Sequence, residues 1–238
     1  MSSAFHAEPH AATENAMADM FDELVAARRS VRAFLPDPVP QEVIARVFTA
    51  AGRAPSNCNA QPWVTHLVSG PALQRVRAAL MAAAQSGTVD PDFPLTSRYV
   101  DHYKERRIAA AVALFEATGI GRHDQVAREA SFMRNFAMFN APHAAFFYMS
   151  NNFGMREAAD IGMYAQTLML ALTAHGLGSC AQGALGHHGT VVRRALGVDA
   201  DLRCLFGVSF GYADESHPSV AARTDRAPLS ETLIIHDR

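Results

Sequence analysis

Apolar residues recur at helical spacing through much of this chain of 238 residues. Residues three and four positions apart share one face of a helix, so the spacing predicts helices over 19–28, 41–53 and 73–85. Glycines at 119 and 121 mark a break between two more helical stretches. The remaining helices are predicted over 99–118, 125–139, 155–175 and 191–196.

Short apolar runs between these helices predict strands. Residues 64–68 are rich in β-branched side chains, and residues 144–150 show no polar alternation, which indicates a strand buried on both faces. Two further strands are predicted at 202–210 and 232–235. Because strands alternate with helices, the pattern by itself predicts an α+β or α/β layered fold.

The helix over 155–175 is apolar nearly all round, so we expect another surface to cover it, such as a second subunit. Its most apolar stretch, 158–174, is interrupted by Asp160, Gln166 and Thr173 and falls short of the roughly 20 apolar residues of a membrane span. Residues 1–15 lack the apolar run of a secretory signal and are interpreted as a flexible arm. We expect one domain over 16–238 with a helical insertion at about 95–139.

Composition narrows the class of protein. Hydrophobic residues make up 49% and charged residues 18% of the chain, as in soluble globular proteins. A net charge of −2 provides no overall field to attract nucleic acid or an anionic membrane, so neither is expected as a partner. The three cysteines lie far apart without a CxxC pair, which favours a reducing cytoplasm over a disulfide framework or a zinc site.

Residues 28–34, RRSVRAF, contain the densest group of anion-binding side chains in the chain. Arginine forks match phosphate oxygens, and a serine hydroxyl adds a short hydrogen bond, so the cluster suits a phosphomonoester. A solvated basic helix end, favoured by the helix dipole, is the alternative. The side chains concerned are Arg28, Arg29, Ser30 and Arg32.

Three other stretches carry polar or small residues suited to a ligand. Residues 55–63 offer the amides of Asn57, Asn59 and Gln61 to the edge of a heterocyclic ring, although a plain turn has the same composition. Residues 179–184 are small enough for a flat ligand to approach the backbone, and close helix packing explains them equally well. The adjacent histidines 187 and 188 lack the nearby carboxylates that a metal site would need, so no metal is expected.

RRSVRAF followed by PSNCNAQPW at 55–63 resembles the FMN-dependent nitroreductase family. The similarity extends from about residue 19 through GLGSCAQG at 176–183 and VSFGY at 208–212. The resemblance implies an α+β fold with three α-β-α layers around a mostly antiparallel central sheet. It also implies a homodimer that exchanges a C-terminal strand and holds an FMN site in each interface.

The resemblance implies a role for each matching residue. Arg28, Arg29 and Ser30 would bind the FMN phosphate and ribityl chain, while Arg32 would reach the N1/O2 side of the ring and stabilise the anionic reduced flavin. The Gly183 amide would donate to flavin N5. The partner subunit would contribute Pro55, Ser56, Asn57 and Asn59, and the remaining contacts would come from Asn135, Ala181, Gln182, Gly183 and Arg226.

The chain departs from short family members at residues 181–183, where some carry Pro-x-Glu, so backbone contacts are expected there instead. The insertion resembles a subgroup of longer nitroaromatic reductases in which such helices lie above the flavin. Its aromatic side chains are therefore candidates to contact substrate, together with Phe93 just before it. The insertion residues are Tyr99, Tyr103 and Phe115.

The implied activity is hydride transfer from NADPH or NADH through flavin N5 to a nitroaromatic compound in a ping-pong cycle. The sequence has no GxGxxG fingerprint, so both reductants stay open. Reductive dehalogenation or ene reduction on the same fold is one alternative. A flavin-sequestering protein without turnover and a metal-dependent hydrolase using the histidines are others.

Overall fold

The computed structural model of the chain describes residues 16–96 and 98–237, so the predicted arm over 1–15 lies outside the described residues. A four-stranded sheet forms the middle layer, with strand order β1-β2-β4-β3 and every pairing antiparallel. This confirms the mostly antiparallel sheet. The strands are β1 Val64–Ser69, β2 His143–Ser150, β3 Gly178–Gln182 and β4 Leu202–Gly211.

Helices cover both faces of the sheet, which confirms the three-layer α+β architecture. One layer contains α2 and α6, which pack on each other, and the opposite layer contains α3 and α7. None of the helices formed by the described residues is long and apolar enough to cross a bilayer. The helices are α1 Ala16–Ala27, α2 Gln41–Ala51, α3 Gly70–Gln85, α4 Asp101–Ala117, α5 Gln125–Met133, α6 Met155–Ala174, α7 Gly189–Leu196 and α8 Leu229–Thr232.

Strand β2 is the centre of the core and is buried on both faces. Its alternate side chains enter different clusters, because successive residues of a strand point to opposite faces of the sheet. The absence of polar alternation in the sequence is therefore explained by helices on both sides. Ala145, Phe147 and Met149 pack with α2 and α6, whereas Ala144, Phe146 and Tyr148 pack with α3 and α7.

The loop before α4 is hydrogen-bonded to the sheet at a β-bulge in β4. The pairing register skips Leu205, and the neighbouring Cys204 N–H donates to Asp92 Oδ2 at 2.8 Å. The other carboxylate oxygen of Asp92 is paired with Arg193 of α7. Gly186 passes so close to the bulge that a Cβ there would lie 2.4 Å from the Leu205 carbonyl oxygen, so this position requires glycine.

The helix predicted over 125–139 is wrong beyond Met133, where α5 ends. The chain then makes a short 3-10 turn, Met138–Asn140, whose residues have φ values of 53°, 52° and 62°. Burial explains the difference. Met138 joins the cluster beneath α3, whereas Phe139 joins a separate cluster around residues 31–34. The turn directs these two consecutive side chains into the two different clusters.

Two strand predictions also differ from the structure. Strand β3 was not predicted, because glycine, serine and cysteine give no β-branched signal. The strand predicted at 232–235 is wrong for the single chain, in which Leu229–Thr232 is helical and 233–237 has no regular structure. Among the described residues no strand lies beside this segment to accept its hydrogen bonds, and Ile234 is 78% exposed.

His143 is a core histidine at the start of β2. Its Nε2 accepts a hydrogen bond from the Val39 N–H at 2.9 Å, so Nδ1 carries the proton and donates to Ser69 Oγ at 2.6 Å. The ring stacks on Phe210. Burial lowers the pKa of His143, because the charged ring would lose its solvation by water. Protonating Nε2 would also place its proton against the Val39 N–H.

Stability should therefore depend on His143 below neutral pH. An unfolded histidine takes up a proton near pH 6.5, whereas folded His143 does so only at lower pH, so the free energy of unfolding should fall as pH drops through this window. The slope from one such group is at most about 1.4 kcal/mol per pH unit. In His143→Gln, which keeps an acceptor but does not titrate, urea unfolding at pH 7.5 and 5.5 should show a smaller loss than in the wild type. Equal losses would contradict this role.

Candidate functional site

The segment that carries the arginine cluster lies extended along the sheet edge. The Val31 N–H donates to the Ser179 carbonyl of β3 at 2.9 Å, and the Leu35 N–H donates to the Tyr212 carbonyl just after β4, also at 2.9 Å. In an extended chain successive side chains point to opposite sides. Val31 is accordingly buried, while Arg32 is only half-buried on the other side.

Close packing on β3 keeps this segment in place. A Cβ added at Gly178 would lie 2.7 Å from Val31 Cγ2, so only glycine allows Val31 to approach the strand this closely. Ser30 forms an isolated bridge with Ser179, and Phe34 forms another with Ala213. The basic motif is therefore part of the folded sheet edge rather than a free helix end.

A cavity of about 710 Å³ opens beside the motif, within the roughly 300–1,000 Å³ typical of small-molecule sites. Its walls come from the end of α1, from α6, from Ala110 of α4 and from the segment after β4. Six of the residues predicted for the site come together here. They are Arg28, Arg29, Ser30, Arg32, Ala181 and Arg226.

Positive charge dominates this cavity. Five arginines line it, and none of its lining residues in the described part of the chain carries a carboxylate. Of these five, only Arg29 pairs with a carboxylate of the described residues, that of Glu215 outside the cavity wall. Such a cluster suits a dianionic phosphate, whose oxygens accept from guanidinium groups in a bidentate manner.

Cys180 lies directly behind the motif. Burial raises the pKa of its thiol, and this outweighs the opposing effect of the nearby Arg32 and Arg28 charges. The thiol therefore stays neutral at physiological pH and is unsuited to nucleophilic chemistry.

The end of β3 presents backbone rather than side chains to the outside. The Gln182 side chain is 2% exposed and points into the core, where Oε1 accepts from the Ser209 hydroxyl and Nε2 donates to the Asn135 carbonyl at 2.9 Å. Ala181 and Gly183 on either side are exposed. A Cβ added at Gly183 would meet no atom within 4 Å, so this edge is open to a flat ligand.

The predicted loop at 55–59 does not line the cavity of its own chain. Pro55, Asn57 and Asn59 are exposed and Ser56 is half-buried. The Asn57 N–H donates to Asp160 Oδ2 of α6 at 3.1 Å, and Asp160 precedes the cavity residue Gln166 by six positions, or about 9 Å along the helix.

The predicted substrate-contacting aromatics lie outside the cavity wall. Tyr99 and Tyr103 are more than half exposed, beneath the guanidinium groups of Arg107 and Arg106. Phe115 instead faces α5, with the Arg128 guanidinium 4.7 Å from its ring centre. Phe93 packs against the core cluster of α2 and α6.

Two polar cavity residues of the C-terminal segment, Arg223 and Thr224, were missed from the sequence. Arg223 lies in a polar tail, where an arginine by itself indicates no site. Its position three residues before Arg226 was the signal that could have pointed to it. Both also line a neighbouring cavity of about 650 Å³ between α4 and the C-terminal segment. An ion pair between Arg106 and Glu231, 2.7 Å apart, lies at this second cavity.

The adjacent histidines have a packing role. His188 is buried, and its ring contacts Phe136 edge to face at 5.2 Å between centres. Throughout 16–96 and 98–237, no three His, Cys, Asp or Glu residues come together in a way that could hold a metal ion. A metal-dependent hydrolase thus has no supporting cluster in this part of the chain.

Comparisons with known proteins agree with this geometry. A curated relative, nitroreductase NfnB of Mycolicibacterium smegmatis, is 42% identical over 91% of this chain and 92% of its own length. A 4-nitrobenzoate reductase of Pseudomonas putida is 33% identical over 84% of this chain and 88% of its own. The crystal structure of the FMN-dependent nitroreductase NfnB from Mycobacterium smegmatis in complex with NADPH is 41% identical and has a TM-score of 0.89, covering 92% of this chain and 99% of that chain.

The family model described as the nitroreductase family matches residues 25–212, a stretch that begins just before the arginine motif and ends at the residue after β4. With this match and relatives above 30% identity along most of its length, the chain belongs to the nitroreductase family.

Proposed function

We propose that this chain is an FMN-dependent nitroreductase that uses NADPH to reduce nitroaromatic compounds. The observation that carries the proposal is that one cavity is lined both by the family's arginine motif and by Arg223 and Arg226 from the C-terminal segment. Relatives named for nitroaromatic substrates, and a solved relative in complex with NADPH, support the choice of substrate and reductant.

The residues of the cavity fit FMN. Arg28, with Ser30 beside it, offers charge-assisted and hydroxyl hydrogen bonds to a phosphate, and Arg223 and Arg226 of the C-terminal segment line the same cavity. The exposed backbone around Gly183 gives a flat ring a surface without side chains. The pairing of Arg29 with Glu215 means that Arg29 contributes less free charge than Arg28.

When bound, FMN would supply the two-electron chemistry, taking hydride from NADPH and passing it to the nitro compound. The chain's own part is to position and stabilise. Arg32 would hold a positive charge at the ring, where negative charge grows on reduction, and this requires no protein acid or base. Ala181 and Gly183 would leave one ring face open for reductant and substrate in turn.

The functional unit would be a homodimer in the reducing cytoplasm. Helix α1 buries none of its residues in the single chain, and its apolar Phe21 is 55% exposed. Apolar side chains on α6 and in the C-terminal segment are exposed as well, including Met163 and Ile235. A second copy would cover these surfaces, accept the C-terminal segment and bring its own 55–59 loop to the cavity. The three free thiols agree with a reducing compartment.

Purified protein should be yellow, with flavin absorption retained through gel filtration or restored by adding FMN.

NADPH oxidation should rise when 4-nitrobenzoate is added, and should be slower with NADH at equal concentration. Tight FMN binding without stimulated turnover would instead indicate a flavin-sequestering protein, and a colourless protein after incubation with excess FMN would refute the proposal.

Arg28→Ala should weaken FMN binding by about tenfold or more, because it removes a charge-assisted contact to the phosphate. Arg29→Ala should cost less, since Glu215 already pairs with that side chain. Titration of FMN fluorescence would measure both. Arg75→Ala, on an exposed position of α3 in the opposite helix layer, is the matched control and should leave the affinity unchanged.

Sedimentation equilibrium should give the mass of two chains for the FMN-loaded protein. Adding charge to the exposed apolar surface, as in Phe21→Glu, should shift the mass toward one chain and release FMN at the same time, because the 55–59 loop of the second copy would be lost. Retention of FMN by a monomer would contradict the shared site.

A further inference from the structure

A strained turn lies between α5 and β2, at residues 134–141, where the insertion ends. Three consecutive residues other than glycine, Met138, Phe139 and Asn140, have positive φ, each at a cost on the order of 1–3 kcal/mol. The turn is closed by backbone hydrogen bonds such as Phe139 N–H to the Arg134 carbonyl at 3.0 Å. Such strain persists only where the surroundings hold it firmly.

Arg134, at the start of this turn, reaches the arginine motif. Its Nη2 donates to the backbone carbonyl of Arg32 at 2.6 Å, and its guanidinium also lies over the Phe139 ring, 5.8 Å from the centre. It is half-buried, and no carboxylate of the described residues pairs with it. The Arg32 carbonyl also accepts from the Ser219 hydroxyl at 3.2 Å.

The next residue makes the corresponding contact to β3. The backbone carbonyl and the side-chain oxygen of Asn135 both accept from Gln182 Nε2, at 2.9 Å and 3.3 Å. The Asn135 side-chain nitrogen in turn donates to the Phe132 carbonyl at 2.9 Å. Two neighbouring residues of one turn thus hold two of the stretches that line the cavity, the arginine motif through Arg32 and the end of β3 through Gln182.

We infer that Arg134 is a positioning residue for Arg32, with Asn135 doing the same for the end of β3. A carbonyl held by two donors fixes the peptide plane after Arg32, and with it the direction in which the Arg32 side chain leaves the backbone. Arg134 itself does not line the cavity, so it acts through Arg32 rather than on the ligand. The inference rests on the proposed function, because Arg32 is assigned to the flavin ring there.

Arg134→Met, which keeps most of the volume and removes the donor, tests this role. FMN affinity should fall by up to about tenfold, the size of one charge-assisted contact between a misplaced Arg32 and the ligand. The midpoint potential of the bound flavin should become more negative by about 30 mV for each tenfold loss in the preference for reduced flavin. Arg134→Lys can still donate to the Arg32 carbonyl and should restore part of both values.

Arg128→Met is the matched control. Arg128 lies in α5, is also half-buried and also contacts an aromatic ring, but it touches neither Arg32 nor the cavity. Its replacement should leave the potential unchanged. A general loss of stability in the insertion would affect both variants, and thermal unfolding of the two reports that effect separately.

A double-mutant cycle with Arg32→Met separates positioning from direct charge. If Arg134 acts through Arg32, its replacement should shift the potential in the wild type and have no further effect in the Arg32→Met protein. A shift that persists in that background, or one that Arg128→Met reproduces, would overturn the inference. Failure of the wild type to bind FMN would overturn the proposed function instead.

Discussion

The backbone pairing of residues 30–35 with the sheet edge is the interaction on which the cavity depends. Hydrogen bonds to Ser179 and Tyr212 hold the segment between β3 and the end of β4. The extended conformation buries Val31 and Ala33 and turns Ser30 and Arg32 the other way. Apolar burial and the direction of the anion-binding side chains therefore have the same cause, and Gly178 permits the close approach that both require.

The five arginines around the cavity oppose folding of the chain. Like charges repel, so gathering them opposes folding unless packing elsewhere overcomes the repulsion or an anion is bound. The two-sided core around β2 supplies that packing, with Phe146 facing one helix layer and Phe147 the other. A phosphate in this cavity would bind the folded state alone and stabilise it further.

Much of the fold was predictable because it depends on local periodicity. The helices α2, α3 and α6 and the strands β1, β2 and β4 are formed as predicted. The failures share a physical reason: in each, a neighbour distant in sequence decided the local structure. Strand β3 exists because β4 offers it an edge, the 134–141 turn is bent by burial into two clusters, and the segment at 233–235 has no edge to join within the described chain.

The sequence by itself determined the family, the layered architecture and the arginine motif, because these depend on periodicity and on motifs contiguous in the chain. Only the tertiary structure decided which residues meet. It brought Arg223 and Arg226 to Arg28, turned the Gln182 side chain into the core, and connected Arg134 to the Arg32 carbonyl across 102 positions. Contacts of this kind leave no local pattern, since each partner would be an ordinary surface residue without the other.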